Sequence, residues 1–258
     1  MKKLIAAAAL AAALVTSTVT AAQANKPTIV LVHGAFADSS SWNNVIAQLA
    51  KDGYTVIAAA NPLRSVKTDA QYVADIVAGI HAPVVLVGHS YGGAVISTAA
   101  KGAANVRALV FVAGFAPDTG ETAAGLSGKF PGSTLGPTLA PPVSLTNGGK
   151  DLYIRQDKFH AQFAADVTPA AASVMAAGQR PVTEAALNEP SSEPAWKTLP
   201  SWFVYGDKDN NIPAQAQAFM AERAKSKQTV VIKGASHVVM VSNPTPVAKL
   251  IETAATAP

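Results

Sequence analysis

A serine at the centre of a glycine-bounded turn is the residue of this sequence best placed to do chemistry. Ser90 lies within Gly88–Gly93, directly after the apolar run Val84–Val87 and before a stretch of helical composition. A sharp strand-to-helix turn with small flanking residues presents a serine hydroxyl as a nucleophile. The alternative is a glycine-rich turn that binds a nucleotide, but no phosphate-binding glycine pattern follows any predicted strand. The motif therefore predicts nucleophilic catalysis at Ser90.

A serine hydroxyl is a weak nucleophile, so a histidine must accept its proton. The sequence has five histidines. His33 and His89 belong to tight loops, His81 precedes a strand, and His160 lies in a long insertion. His237 follows the last predicted strand, and in folds built around such a turn the chain order is serine, acid, histidine. We therefore predict His237 as the general base, against the default of an inert polar loop residue.

The acid that orients this histidine should follow the preceding strand. Two carboxylates lie there, Asp207 and Asp209. Asp209 is favoured because it stands three residues after Gly206, which ends the strand, and so leaves a short loop that can turn towards the histidine. Asp207 fits a loop-capping role better, and Asp118, after the fourth strand, is a weaker alternative.

An oxyanion formed at Ser90 needs backbone N–H donors, one from the residue after the nucleophile and one from the loop after the first strand. These positions are Tyr91 and Ala35. Gly34 leaves room for the loop to turn inward, although His33-Gly34 alone would also fit an ordinary strand-ending turn. The sequence predicts an oxyanion hole made by Ala35 and Tyr91.

The elements that must position these residues are apolar runs separated by helical patterns. The runs lack polar alternation, as strands buried on both faces should, which predicts a doubly wound, mostly parallel α/β sheet. The six predicted strands are Thr28–Val32, Thr55–Ala59, Val84–Val87, Ala108–Val112, Ser201–Tyr205 and Thr229–Ile232. The predicted helices between and after them are Trp42–Lys51, Asp69–Ile80 with Thr68 as its cap, Ala214–Lys225 and Thr245–Thr253.

An insertion at about residues 116–200 interrupts this alternation of strands and helices. It begins with a stretch rich in Pro, Gly, Ser and Thr, contains no strand-like run, and has helical patterns at Asp151–Ala165 and Pro169–Ala177. Long loops of this kind are usually functional, so we expect a small helical cap over the carboxyl edge of the sheet. The apolar residues predicted to form the substrate-binding walls are Phe36, Phe159, Phe163, Met175, Trp196 and Met240.

The amino terminus has the pattern of an export leader. Lys2 and Lys3 precede the small apolar run Leu4–Val15, which ends before an A-x-A site at Ala22–Ala24. The run is shorter than a membrane span needs. We therefore expect cleavage after Ala24, a periplasmic or secreted protein, and one soluble domain over residues 25–258.

Composition excludes several other classes of function. Removing the two leader lysines lowers the formal net charge from +4 to +2, so the basic balance indicates no nucleic-acid partner. There is no cysteine, which excludes thiol nucleophiles, thiolate metal sites and disulfides. No metal, cofactor or membrane partner is predicted, and oligomeric state has no signal in the sequence.

Together, these motifs resemble the α/β-hydrolase superfamily over nearly the whole chain after the leader. The opening Val32–Phe36 with Ser41-Trp42, and the six predicted strands, look like its branch of plant methyl esterases, hydroxynitrile lyases and their bacterial relatives. Lyases of that branch carry a threonine and a lysine where this chain has Gly34 and Val238, and dehalogenases and epoxide hydrolases carry aspartate in place of Ser90.

The resemblance therefore implies a serine esterase without a cofactor, acting on a small or medium apolar ester or lactone. The alternatives are an enzyme resembling a hydroxynitrile lyase, a perhydrolase, or a module that binds a small molecule with little turnover. Turnover of a short-chain ester, or release of cyanide from a cyanohydrin, would separate them.

Overall fold

The computed structural model describes residues 26–257. Within this range the chain forms nine strands, β1 (Thr28–Val32), β2 (Val56–Ala59), β3 (Val84–His89), β4 (Val106–Val112), β5 (Val143–Ser144), β6 (Lys150–Leu152), β7 (Val182–Thr183), β8 (Ser201–Gly206) and β9 (Gln228–Ile232). The helices, named in chain order, are α1 (Asn43–Lys51), α2 (Val66–Ala78), α3 (Tyr91–Ala99), α4 (Ala123–Ser127), α5 (Gln156–Phe163), α6 (Pro169–Gly178), α7 (Glu184–Asn188), α8 (Ala214–Arg223), α9 (Val239–Ser242) and α10 (Pro244–Thr256). The predicted leader lies outside the described residues.

Six parallel strands form the central sheet in the order β2-β1-β3-β4-β8-β9. All residues of β1 and β3 are buried, because helices cover both faces and a strand between two apolar layers needs no polar side. Parallel pairing aligns the carboxyl ends of the strands at one edge, where Val32 of β1 is in register with Gly88 of β3. The predicted doubly wound six-stranded α/β sheet is confirmed.

Helix α2 begins earlier than the sequence pattern predicted. Its cap is Ser65, whose side chain accepts a hydrogen bond from the Thr68 N–H, and not Thr68 itself. Gln71, three residues after Thr68, donates to the Asp75 side chain. The prediction was wrong because Ser65 and Thr68 both have a residue type suited to capping, but only Ser65 has the extended backbone that a capping residue needs, whereas Thr68 lies within the helix. The shift places Asp69 in the first turn.

The insertion between β4 and β8 contains strands that were not predicted. β5, β6 and β7 form a small antiparallel sheet in that order. They have two or three residues each, which is too short for a period of two to show in the sequence. Because β6 occupies the start of the predicted helix Asp151–Ala165, α5 begins only at Gln156, whereas α6 confirms the second predicted helix of the cap.

No helix in the described part of the chain is long and apolar enough to cross a membrane.

Candidate active site

The turn after β3 holds Ser90 in a strained backbone conformation, with φ of 52° and ψ of −124°. Such strain persists only where the surroundings fix it. A Cβ atom on Gly88 would lie 2.5 Å from the Gly92 carbonyl oxygen, and one on Gly92 would lie 2.4 Å from the Val32 carbonyl oxygen. The glycines therefore allow β1, β3 and α3 to meet directly behind the serine.

His237 follows β9 and reaches Ser90 across the edge of the sheet. Its Nε2 atom lies 2.9 Å from the Ser90 Oγ atom, and its Nδ1 atom lies 2.7 Å from Asp209 Oδ2. A carboxylate can only accept a hydrogen bond, so Nδ1 carries the proton and Nε2 is left free to accept the proton of the serine hydroxyl. The three side chains form one continuous hydrogen-bonded chain.

Asp209 is held by more than the histidine. Its Oδ1 atom accepts from the backbone N–H groups of Asn211 and Ile212, at 2.7 and 3.0 Å. Its Oδ2 atom accepts from Gln217 Nε2, at 2.9 Å, as well as from His237. The side chain is completely buried, and four donors compensate the burial of its charge. This carboxylate is therefore fixed in position before any substrate binds.

The other two candidate acids lie elsewhere. Asp207 accepts a hydrogen bond from the Gly234 N–H at 2.6 Å, at an exposed position, which is the loop-capping role predicted for it. Asp118 pairs with Lys197 on the surface, at 2.5 Å. The structure brings Asp209 alone of the three to the histidine.

The loop after β1 lies against the nucleophile. A Cβ atom on Gly34 would lie 2.5 Å from the Ser90 Cβ atom, so no side chain fits there. The next residue, Ala35, donates its N–H to no acceptor among residues 26–257. Tyr91 is the first residue of α3, and no helical carbonyl is available to an N–H at that position. Both residues line the cavity above Ser90, as an oxyanion hole requires.

That cavity has a volume of about 470 Å³ and reaches from Ser90 and His237 to the cap. Its walls are mainly apolar, from Phe36, Phe115, Ala123, Ala124, Leu135, Pro137, Leu139, Leu152, Phe163, Leu187 and Ile212. Ser127, Ser133, Glu184, Asn188 and Asn211 supply the polar part of the lining outside the turn and the histidine. The cavity carries no lysine or arginine.

Two of the six predicted wall residues, Phe36 and Phe163, line this cavity, and four do not. Phe159 is completely buried beside Phe163. Trp196 donates its indole N–H to the Pro117 carbonyl oxygen, and Met240 is fully buried. The fourth is Met175, which packs against the hydrophobic core. Apolar type and helical spacing do not distinguish a residue that faces a cavity from one that faces the core.

Sequence reasoning missed most of the walls. Leu135, Pro137 and Leu139 belong to a short 3₁₀ turn and its flanks, and Leu152 ends β6. These segments have no periodic pattern, so the only signal was the unusual length of the insertion. The walls depend on how the cap folds back over the sheet.

Two further histidines lie behind the site and are buried. Burial lowers the pKa of His33 to about 4. Burial and the neighbouring His237 hold the pKa of His89 well below its usual range. The His89 Nε2 atom lies 3.2 Å from the His237 carbonyl oxygen, and the two rings are 4.8 Å apart. His89 is thus a neutral donor that supports the backbone of His237 without adding a charge beside it.

No group of three or more histidine, aspartate or glutamate side chains in the described part of the chain is arranged to hold a metal ion.

Comparison with known proteins agrees with the fold. The alpha/beta hydrolase nvfD of Aspergillus novofumigatus (strain IBT 16806) is 27% identical over 250 residues, which cover 89% of this chain and 97% of that protein. An alpha-hydroxynitrile lyase of Arabidopsis thaliana is 25% identical over 237 residues, covering 83% of this chain and 92% of that protein. The crystal structure of polyneuridine aldehyde esterase superposes with a TM-score of 0.76 at 18% identity, covering 88% of this chain and 98% of that chain, which shows a shared fold.

A family model described as the alpha/beta hydrolase family matches residues 29–250, from β1 into α10. The match includes the turn at Ser90, the loop at Asp209 and the loop at His237, together with the cap between them. The resemblance predicted from the sequence motifs is confirmed, and the chain belongs to the alpha/beta hydrolase family.

Proposed function

We propose that this protein is a serine carboxylesterase that cleaves a neutral ester or lactone of small to medium size with an apolar acyl or alcohol part. The observation that carries the proposal is the hydrogen-bonded chain from Ser90 through His237 to Asp209 at the floor of an apolar cavity. The cavity volume of about 470 Å³ lies within the usual range for small-molecule sites.

In the proposed reaction, His237 Nε2 takes the proton from the Ser90 hydroxyl as its oxygen attacks the ester carbonyl carbon. The negative charge that develops on the carbonyl oxygen is met by the N–H groups of Ala35 and Tyr91. Collapse of this intermediate breaks the bond to the alcohol oxygen, which leaves with the proton from His237. A water molecule then attacks the acyl group in the same way and releases the acid. Asp209 stays ionised and holds the imidazole in the required tautomer.

The composition of the cavity limits the substrate class. It carries no lysine or arginine, and Glu184 is the only carboxylate in its lining. An anionic substrate would therefore lose its hydration without gaining a charged partner. We propose that neutral esters are cleaved in preference to esters that carry a free carboxylate.

The test is turnover of p-nitrophenyl esters of increasing acyl length by the purified protein, with an initial burst of p-nitrophenol as the sign of an acyl-enzyme. We expect Ser90→Ala to abolish turnover and labelling by a fluorophosphonate, while Ser192→Ala, which alters an exposed serine outside the cavity, keeps both. Full activity of Ser90→Ala would contradict the proposal.

The same preparation separates the alternative functions. Release of cyanide from a cyanohydrin without ester cleavage would favour a lyase, which the similarity to the Arabidopsis lyase makes a necessary control. Formation of a peracid from a carboxylic acid and hydrogen peroxide would favour a perhydrolase. Binding of an apolar ester without any turnover would favour a ligand-binding module.

A further inference from the structure

The residue after the nucleophile is anchored through its side chain as well as its backbone. Tyr91 is completely buried, and its hydroxyl donates to Asp69 Oδ2 at 2.9 Å. Asp69 is equally buried, in the first turn of α2. A charge-assisted hydrogen bond in such surroundings is stronger and more directional than one in water. The anchor therefore connects the start of α3 to a neighbouring helix.

Asp69 is itself fixed by the loop that precedes α2. Its two carboxylate oxygens accept from the Arg64 backbone N–H at 3.2 and 3.0 Å. Burial raises the pKa of the Tyr91 hydroxyl well above its usual range, so the tyrosine keeps its proton and acts as the donor. Burial also raises the pKa of Asp69, against the opposing effect of these hydrogen bonds.

The loop that holds Asp69 is also the loop on which the cap rests. The Arg64 guanidinium donates to Asp151 Oδ1 at 2.6 Å and to the Pro181 carbonyl oxygen at 2.7 Å. Thr183 of β7 donates two hydrogen bonds to the same loop. Its hydroxyl donates to the Arg64 carbonyl oxygen at 2.7 Å, and its N–H donates to the Leu63 carbonyl oxygen at 3.1 Å. A continuous set of contacts thus leads from the cap sheet to the residue beside the nucleophile.

The backbone beside this anchor is strained, so an additional constraint from the Tyr91 side chain affects where the Tyr91 N–H points. The peptide between Ser90 and Tyr91 follows a backbone with φ of 52°, and its N–H has no helical acceptor. Strained backbone relaxes unless neighbouring contacts fix it. Rotation of this peptide would turn the N–H away from the oxyanion. The Ser90 carbonyl oxygen of the same peptide accepts from the Gly93 and Phe115 N–H groups, at 2.9 and 3.0 Å. The hydrogen bond of the Tyr91 side chain adds a further constraint from the other side of the peptide.

We propose that Tyr91 is a positioning residue. Its side chain, held by Asp69, orients the Tyr91 backbone N–H towards the oxyanion, and the contacts of Arg64 make this orientation depend on the docked cap. The inference rests on the proposed esterase function. It extends that function by assigning a role to a buried tyrosine, an aspartate and an arginine outside the hydrogen-bonded chain of Ser90.

The test compares Tyr91→Phe, which removes only the hydroxyl, with Tyr54→Phe, whose ring is also buried but lies two residues before β2, away from the site. Affinity is measured for two ligands with the same carbon chain. One is a trifluoromethyl ketone, which adds to Ser90 and forms an oxyanion, and the other is the corresponding alcohol, which forms none.

We expect Tyr91→Phe to lower kcat and the affinity for the ketone by about tenfold each, since a misdirected donor loses part of the effect of an oxyanion-hole N–H. KM and the affinity for the alcohol should change little. Tyr54→Phe should leave all four values unchanged. Equal losses for ketone and alcohol, or no difference between Tyr91→Phe and Tyr54→Phe, would overturn the proposal.

A second variant guards against misfolding of the first. Asp69→Asn keeps the shape of the acceptor but removes its charge, and we expect a loss of ketone affinity in the same direction. Together with Tyr91→Phe the losses should not add, because Asp69→Asn weakens the same hydrogen bond that Tyr91→Phe removes. Additive losses would contradict the proposal. Failure of the unaltered protein to cleave any ester would instead remove the proposed function, which separates the two failures.

Discussion

Asp209 and Asp207 stand two positions apart in one loop, yet only Asp209 contacts His237. We expect Asp209→Asn to lower kcat by on the order of 10³ to 10⁴, because an amide no longer fixes the proton on Nδ1 of the histidine. Asp207→Asn is the matched control and should keep kcat close to that of the unaltered protein. Steady-state kinetics on one ester measures both variants.

Comparable losses in the two aspartate variants would show that the loop as a whole supports activity. Retained kcat in Asp209→Asn would mean that the histidine is oriented without it.

The buried histidines make stability depend on pH. Burial lowers the pKa of His33 to about 4 from the ordinary 6.5, so the unfolded chain binds a proton in this window and the folded chain does not. This part of the stability is therefore fully present above pH 6.5 and is lost as the pH falls towards 4, and His33 contributes about 1.4 kcal/mol per pH unit to the slope. His89, whose pKa is also lowered, adds to it. Urea unfolding between pH 5.0 and 6.5 measures this slope.

We expect His33→Gln to flatten that slope, leaving the part that His89 contributes. His81→Gln, which alters an exposed histidine, should keep the slope. An unchanged slope in His33→Gln would contradict the assignment of the pH dependence to this buried ring.

At the scale of elements, close approach behind the nucleophile depends on α3 carrying no side chain at Gly92. We expect Gly92→Ala to destabilise the fold by about 2–4 kcal/mol and to remove activity, because the added methyl would lie 2.4 Å from the Val32 carbonyl oxygen. Gly178→Ala, where the methyl meets nothing within 4 Å, should change stability by less than about 0.5 kcal/mol. Thermal or urea unfolding measures both.

A stable and active Gly92→Ala protein would show that β1 and α3 can separate without cost, contrary to the fixed geometry described for this turn.

One glutamine side chain of the cap donates two hydrogen bonds to the loop that carries Asp209. Gln162 of α5 is buried; its amide accepts from Thr134 at 2.8 Å and donates to the Asn210 carbonyl oxygen and to Asn211 Oδ1, at 2.9 and 3.1 Å. We expect Gln162→Met to cost about 1–3 kcal/mol, since it leaves buried partners unsatisfied. KM should rise because Phe163 beside it lines the cavity.

The matched control is Gln215→Met, at an exposed position of α8. Urea unfolding and steady-state kinetics are measured on both variants. Equal effects in the two would show that the Gln162 contacts contribute nothing specific to stability or to KM.

The elements differ in how well the sequence predicts them, and the reason is physical. The six long strands are predicted to within about two residues, because strands buried on both faces must be continuous apolar runs. The positions of Ser90, Asp209 and His237 follow from chain order and strand ends, and the structure brings them together. The cap was predicted least well, since β5 to β7 and the turn at Leu135–Leu139 are stabilised by contacts distant in the chain, which leave no local pattern.

At the scale of the whole molecule, export remains a prediction from residues 1–24. We expect the protein recovered outside the cytoplasm of an expressing bacterium to begin at Asn25, because the A-x-A site ends at Ala24. Amino-terminal sequencing of the exported fraction measures this. Ala24→Arg should block cleavage, whereas Gln23→Arg, between the two alanines, should allow it. Recovery of the unaltered protein with Met1 intact would contradict the prediction.

Ser90 is only 6% exposed, although it lines a cavity. If an acyl group forms on it, the molecule that removes this group must arrive through the same apolar space. A small alcohol enters such a space more readily than water does. The acyl group would then be shared between two acceptors, and added alcohol would turn part of the hydrolysis into transesterification. The ratio of new ester to free acid would thus report how readily water, compared with the alcohol, reaches the acyl group in the cavity.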